Sequence, residues 1–451
     1  MKLTKKNILI IGFGIVGIPC SFAIKKLNPK KLYIIDMKKQ SELNEKIPTG
    51  AIFLNFEIKE DNYKDIFDSL KLDIIIDLSV YVNTFDMLRY CSEKNIHFIS
   101  TSIEPWQKGQ NGFLETLSPK GQPSKEMNSK TSIANDMIEL EKLKLELAEN
   151  GHSITQIVNS GANPGCVSHF IKYLLDTFNK SKKSYSEKAQ ALGIQTIHIA
   201  EIDTQVENKK NDKSFRNTWS IDGFYEEASA QSEIALGSHE LKIPKNTKLV
   251  DINENCKIAI LPEKGYKVKV KSYLPDYDIV GKVIQHAEIG SICKFLSDEN
   301  YSPSVYYAYQ YSKPLEDSIK KFGIEGGADL KLENKPLDAD NSKGIDFLGV
   351  LAICGNLDMY FCGSKVSTEQ AKLLDLPHIS PTNVQVLGGI ISSLQLCLKN
   401  PNYGLLCSCD EIPKEDFNFI WKHAKPYLGD IVIQKMDKKA LSTQFYELIL
   451  T

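Results

Sequence analysis

The stretch NILIIGFGIVG, residues 7–17, decides how the first third of this chain is read. Five strand-like residues, Asn7 to Ile11, run straight into Gly12, Gly14 and Gly17, and the residues up to Leu27 have the spacing of an amphipathic helix. Glycines at those offsets in a strand-to-helix turn predict a dinucleotide cradle. Gly12 permits the tight turn, Gly14 lets a pyrophosphate approach the backbone, and Gly17 lets the helix pack closely on the strand, so that nearby amides face the anion. The next apolar run, LYIID, ends in Asp36, 24 residues after Gly12 and near the expected place for an acid that binds the adenosine ribose hydroxyls. A carboxylate there repels a 2′-phosphate, which favours NAD over NADP, although Lys38 and Lys39 stand close enough to weaken the preference.

Outward from that turn, AIFLNF, DIIIDLSV and HFISTS continue an alternation of apolar runs with helical segments up to about residue 105. This is the pattern of right-handed βαβ units in a doubly wound parallel sheet of the Rossmann kind. Residues 107–129 are rich in Gly, Pro, Ser, Lys and Gln and read as an exposed excursion. A charged helix follows, from about Thr131 to Asn150, and then a strand, SITQIVNSG, which breaks at Gly161-Ala-Asn-Pro-Gly165 before the helix VSHFIKYLLDTF. A strand ending in such a turn is where an open sheet presents its site, so Asn163 is placed to hydrogen-bond a ligand. From Gln190 to about Gly363 the chain is strand-rich, with IQTIHIAEID, KIAILP, YKVKVKSYLP, YDIVGKVIQHAEI, SVYYAYQY, DFLGVLAICG and DMYFCGSKV. These predict a second, α+β domain with a mixed or antiparallel sheet. The segment Thr382 to Lys399 reads as an apolar helix suited to packing on the first domain or on a second subunit. The expected division is 1–158 for the NAD-binding domain, 159–380 for the catalytic and dimerisation domain, and 381–451 for a C-terminal helical segment.

Composition narrows the partners. A net charge of −2 over 451 residues, with acids and bases interspersed, gives no face shaped by nucleic acid or an anionic membrane. No apolar run approaches the roughly 20 residues that span a bilayer, and MKLTKK reads as the leader of the first strand; a cytoplasmic protein is expected. The ten cysteines are scattered, with Cys407 and Cys409 as the close pair, and read as reduced, mostly buried thiols. His378 and His423 stand alone, and no metal site is expected. Of 55 basic residues only Arg89 and Arg216 are arginine, so the chain is poorly equipped to clamp carboxylate substrates with bidentate forks.

The segment from Ile197 to Phe224 suggests the opposite charge preference. IHIAEIDTQ puts Glu201 and Asp203 on a buried strand, NTWSIDGF supplies Trp219, and Asp222, Glu226, Glu227, Glu233 and Glu240 follow. An indole face attracts a desolvated cation and carboxylates supply the countercharge, so these residues could bind an ammonium group. The alternative is a structural strand followed by an acidic helix.

Taken together with SIEPW around Glu104, SGANPG around Asn163, GSHE at 237–240, HAEI at His286, the LGVL and YFCGS strands and PYLG near Tyr427, the chain resembles the bacterial homospermidine synthases of the saccharopine-dehydrogenase-like group over nearly its full length. The resemblance implies Glu104, Asn163, Glu201, Trp219, Glu227 and His286 as substrate-contacting positions, NAD as a bound redox group, diamines or polyamines such as putrescine and spermidine as substrates, and a homodimer. It also implies conversion of two putrescines to homospermidine and ammonia, with Glu201 as a candidate base and His286 as a second proton carrier. Tyr81, Tyr306 and Gln310 depart from the family pattern at places that bear on diamine selection. Two other readings remain: a reductive amine dehydrogenase of the saccharopine or carboxynorspermidine type, which the arginine shortage disfavours, and a non-catalytic dinucleotide sensor.

Overall fold

A computed structural model describes residues 3–38, 46–106, 132–207, 214–324, 334–407, 410–437 and 441–450. Lys39, the excursion at 107–129 and Cys409 lie outside the described residues. The chain forms two compact units, each assembled from separated segments. One comprises Met1–Gln122, Glu139–Gly165 and Glu369–Tyr427; the other comprises Pro123–Ile138, Cys166–Thr368 and Leu428–Thr451.

The first unit is built on β1 (Asn7–Ile11), β2 (Lys31–Asp36), β3 (Ile52–Asn55), β4 (Ile74–Asp77), β5 (His97–Ser100) and β6 (Gln156–Val158). These pair, all parallel, in the order β6-β5-β4-β1-β2-β3, with the strand Leu405–Cys407 added beside β6. Covered on both faces, such strands must be apolar throughout, and Ile8, Leu9, Ile10, Ile74, Ile75 and Ile76 are all fully buried. The order reverses between β1 and β4, which makes the turn after β1 the switch point of a doubly wound sheet. Helices α1 (Gly17–Lys26), α2 (Tyr63–Leu70) and α3 (Thr84–Lys94) cross over between strands. Asn83 caps α3 through the Asp86 amide, and Asn95 ends it in the left-handed region.

The helix Pro381–Lys399 belongs to this unit. Its Asn383 amide donates to the Ile15 carbonyl at 3.1 Å, and Ser393 meets Ser160 at 2.5 Å. The residues after 381 do not stay together, however. Leu405–Cys407 extends the parallel sheet, whereas Asp430–Met436 pairs with Met359–Ser367 and Ile449–Leu450 pairs with Lys269–Leu274 in the second unit. Backbone pairing therefore sends the chain back and forth, and boundaries at 158 and 380 differ from those of the compact units.

The second unit carries an eleven-stranded mixed sheet. Its centre is Ile194–Asp203, flanked by Ser304–Gln310 in parallel and Ile345–Cys354 in antiparallel pairing. Alternation separates the two faces of these strands. Ala200, Ile202, Tyr306, Ala308, Phe347 and Leu351 join a core that includes Phe445. Glu201, Asp203, Tyr307 and Tyr309 have the opposite parity. The run YDIVGKVIQHAEI is not one strand: it ends as a strand at Lys282, and after His286 becomes the helix Ala287–Leu296. Cys256 and Cys293 form a disulfide, with Cα atoms 6.2 Å apart, that joins a strand to this helix. Composition does not reveal this pairing because the two cysteines are 37 residues apart. Cys20, Cys91, Cys166, Cys354, Cys362, Cys397 and Cys407 are free and buried.

Candidate functional site

In the first unit, Gly12 has φ +87°, and a Cβ there would lie 2.9 Å from the Leu78 carbonyl oxygen. A Cβ on Gly17 would sit 2.1 Å from the Gly12 oxygen, so that residue closes the helix onto the turn. Nothing lies within 4 Å of the Cβ position of Gly14. The turn is thus crowded at its two ends and open in the middle, which suits a pyrophosphate held against bare backbone. Asp36, at the end of β2, accepts from the Phe13 amide at 2.7 Å and the Lys38 amide at 2.8 Å, one on each oxygen. Each oxygen keeps acceptor capacity for a ribose hydroxyl.

Glu104 and Asn163 follow β5 and β6 at the same carboxyl edge of the parallel sheet. The Glu104 amide donates to Thr84 Oγ1 at 2.9 Å and its carbonyl accepts from the Thr84 amide, while Trp106 Nε1 donates to Asp86 at 2.6 Å. SIEPW is therefore pinned to the start of α3. The loop holding Asn163 is closed by the Gly161 amide donating to the Pro164 carbonyl at 2.7 Å, and a Cβ on Gly165 would strike the Gly161 oxygen at 2.1 Å.

In the second unit, four of the expected residues belong to one acidic and aromatic cluster. Tyr309 lies opposite Glu201 in the parallel register, and Tyr307, two residues earlier, donates its hydroxyl to Glu201 Oε2 at 2.5 Å. The two phenol rings stack 5.5 Å apart, 5° from parallel. Trp219 Nε1 reaches the Tyr309 hydroxyl at 3.3 Å, and a Cβ on Gly223 would press on the indole at 3.2 Å, so the bare helix start accommodates the ring. His286 meets the Tyr307 ring edge-on at 4.9 Å and presents Nε2 to Glu227 at 3.7 Å. Its Nδ1 bonds Glu288 at 2.6 Å.

Electrostatics separates these groups. Burial pulls the His286 pKa down, but Glu288 and Glu227 outweigh it and lift the group to about 9. Burial raises Glu227 to about 7 against the opposing attraction of His286. Burial also raises Asp203, to about 6, yet its oxygens are taken by Thr218 Oγ1, the Gln205 amide and the Gln205 side chain.

Not every acid downstream of Trp219 joins in. Asp222 is exposed, Glu233 is directed to the start of the helix Ile133–Glu149 at Ser132 and Ala134, and Glu240 binds Ser304 Oγ and the Phe445 amide. Arg216 pairs with Glu207, which also accepts from the Asp338 amide, and so braces a loop. Sequence reasoning missed Glu288, Tyr307 and Tyr309. The signals were present: an acid two residues after His286, and tyrosines at every second position of SVYYAYQY. Among the described residues no group of three His, Cys, Asp or Glu is placed to hold a metal ion, and no helix is long and apolar enough to cross a membrane.

Two family models match the chain: the saccharopine dehydrogenase NADP binding domain over residues 8–145 and the saccharopine dehydrogenase C-terminal domain over residues 161–356. The chain belongs to the saccharopine-dehydrogenase-like group. Within that group it is similar to the bacterial homospermidine synthases. Those of Mesorhizobium japonicum and Blastochloris viridis are 26% and 28% identical to it, over 94% of this chain and 89% and 90% of theirs. The crystal structure of a homospermidine synthase from Legionella pneumophila in complex with NAD superposes with a TM-score of 0.83 at 26% identity, covering 99% of this chain and 98% of that one. A saccharopine dehydrogenase from Saccharomyces cerevisiae shares the fold, with a TM-score of 0.50 at 12% identity.

Proposed function

We propose that this chain is an NAD-dependent homospermidine synthase that joins two putrescines into homospermidine and releases ammonia, with no net redox change. The observation that carries the reading is the cluster of Glu201, Glu227 and His286 with Trp219 and two tyrosines, a set suited to ammonium groups and lacking a carboxylate clamp. Bound NAD supplies a hydride acceptor for the carbon beside an amine and returns that hydride at the end.

The chain's own residues supply binding, orientation and proton transfer. The turn at Gly12, Gly14 and Gly17 lets the pyrophosphate approach bare backbone at the start of the helix, and Asp36 takes the ribose hydroxyls. Glu201, fixed by Tyr307, anchors one ammonium end of the diamine. Trp219 offers a ring face to the cationic amine or imine carbon and disfavours water there, which protects a hydrolysable imine. Before hydride can leave, the amine must lose a proton, and a carboxylate within hydrogen-bond reach takes it. A second diamine then adds at the imine carbon and ammonia departs. Asn163 and Glu104 are proposed to hold the polar ends of the substrates. On the resemblance alone, we extend the proposal to a homodimer in the cytoplasm; sedimentation of the intact protein tests the assembly.

Product analysis by mass spectrometry, after incubation with NAD and a panel of diamines, tests the activity. Homospermidine from putrescine, without a lasting rise in NADH absorbance, supports it. Stoichiometric NADH accumulation without a coupled amine points instead to an amine dehydrogenase.

A further inference from the structure

His286 sits at a position that ordinarily suppresses a positive charge. It is buried, and it stands immediately before the first turn of Ala287–Leu296, where the helix dipole disfavours cations. Glu288, in that first turn, is fully buried and takes Nδ1 of His286 at 2.6 Å. Its other oxygen, Oε1, is buried with no hydrogen-bond partner. The first turn suits an anion, yet this buried carboxylate leaves one oxygen without a hydrogen bond and directs the other to His286.

The remaining groups facing the imidazole are Glu227 from Ile221–Ser229, whose Oε2 is buried without a hydrogen bond, Glu201 from the central strand, and the Tyr307 ring edge. Glu201 is held by a short bond from Tyr307 and is buried, whereas Glu227 turns a buried Oε2 to His286 at 3.7 Å while its side chain as a whole stays 29% exposed, which leaves the carboxylate accessible to a substrate proton.

Resting on the homospermidine synthase reading, we infer that Glu288 is a positioning residue that locks His286 with Nε2 turned to Glu227, and that Glu227 rather than Glu201 accepts the proton of the substrate amine. Glu288 and His286 then act as a fixed pair behind the exchanging carboxylate. His286 remains protonated while Glu227 gains and loses its proton, and the adjacent imidazolium favours the ionised form of Glu227 against the burial that opposes it.

The His286 titration is followed by NMR in the intact enzyme, with its resonance assigned by loss in His286→Asn. In Glu288→Gln the charge is gone and the shape is kept, so the His286 midpoint should fall by at least one pH unit, while Glu288→Asp restores much of it. An unchanged midpoint in Glu288→Gln, even with a lowered melting temperature, makes Glu288 merely structural and overturns the inference. Turnover divides the carboxylates: Glu227→Gln should lower kcat at least a hundredfold with KM little changed, and Glu201→Gln should chiefly raise KM. The reverse split overturns the base assignment. If the wild type makes no homospermidine, the functional reading fails, yet the titration still decides the positioning role.

Discussion

At the scale of single residues, Trp219 is the sharpest test of cation recognition. A desolvated cation over an indole is worth about 2 kcal/mol, or roughly thirtyfold in rate. Trp219→Phe should keep partial activity, and Trp219→Ala and Trp219→Leu should both lose much more, in steady-state assays. Leucine matching phenylalanine would mean the ring serves only as apolar packing. Proton exchange by Glu227 beside a protonated His286 predicts a bell-shaped kcat/KM profile. It should rise as Glu227 ionises near pH 7 and fall as His286 deprotonates near pH 9. Glu233 supplies a stability prediction outside the site. Burial, opposed by the Ala134 and Ile133 amides, raises its pKa from 4.5 to about 7. Its contribution to stability is complete below 4.5 and lost as pH rises through about 7. Glu233→Gln should therefore gain on the wild type by on the order of 2–3 kcal/mol at pH 8, with most of the gain gone at pH 5, as read by thermal unfolding. Glu201, Trp219 and His286 were legible because their motifs are unusual. Glu288 and Tyr307 were not, because what gives them meaning is a partner fixed by a helix start or by strand register across about a hundred residues.

At the scale of elements, the glycine turn separates binding from folding. Gly14→Val adds a side chain where there is open space, so the protein should fold and lose NAD affinity in calorimetry. Gly17→Ala drives a Cβ into the Gly12 carbonyl and should cost about 1–3 kcal/mol of stability in denaturant unfolding. A Gly14→Val protein that binds NAD normally would remove the cradle from the account. The strand at Ser304–Gln310 resolves two of the departures from the family pattern. Tyr306 points away from Glu201, bonds His198 and packs on Phe445, and Gln310 accepts from the Val280 amide. Both have the parity of the core face, so strand alternation removes them from the amine cluster. The parallel run of the first sheet was legible from its continuous apolar strands. The strand Gln231–Leu236 was not, since an acid, Glu233, interrupts it for a purpose visible only in the folded unit.

For the whole molecule, the order in which segments return to each unit could not be read from local pattern. The strands Leu405–Cys407 and Asp430–Met436 follow one another closely in the chain, and their pairing partners assign one to the parallel sheet and the other to the mixed one. The activity likewise belongs to the whole chain, because a dinucleotide cradle and an amine cluster each have other uses alone. The most direct measurement places deuterium on the amine-bearing carbons of putrescine and follows it into the product in the presence of excess unlabelled NADH. Deuterium lost from the oxidised carbon should return undiluted to the carbon of the new carbon–nitrogen bond, because the reduced cofactor and the hydrolysable imine both stay bound until the second hydride transfer. Dilution of that label by the added cofactor, together with steady NADH accumulation from putrescine alone, would contradict the account.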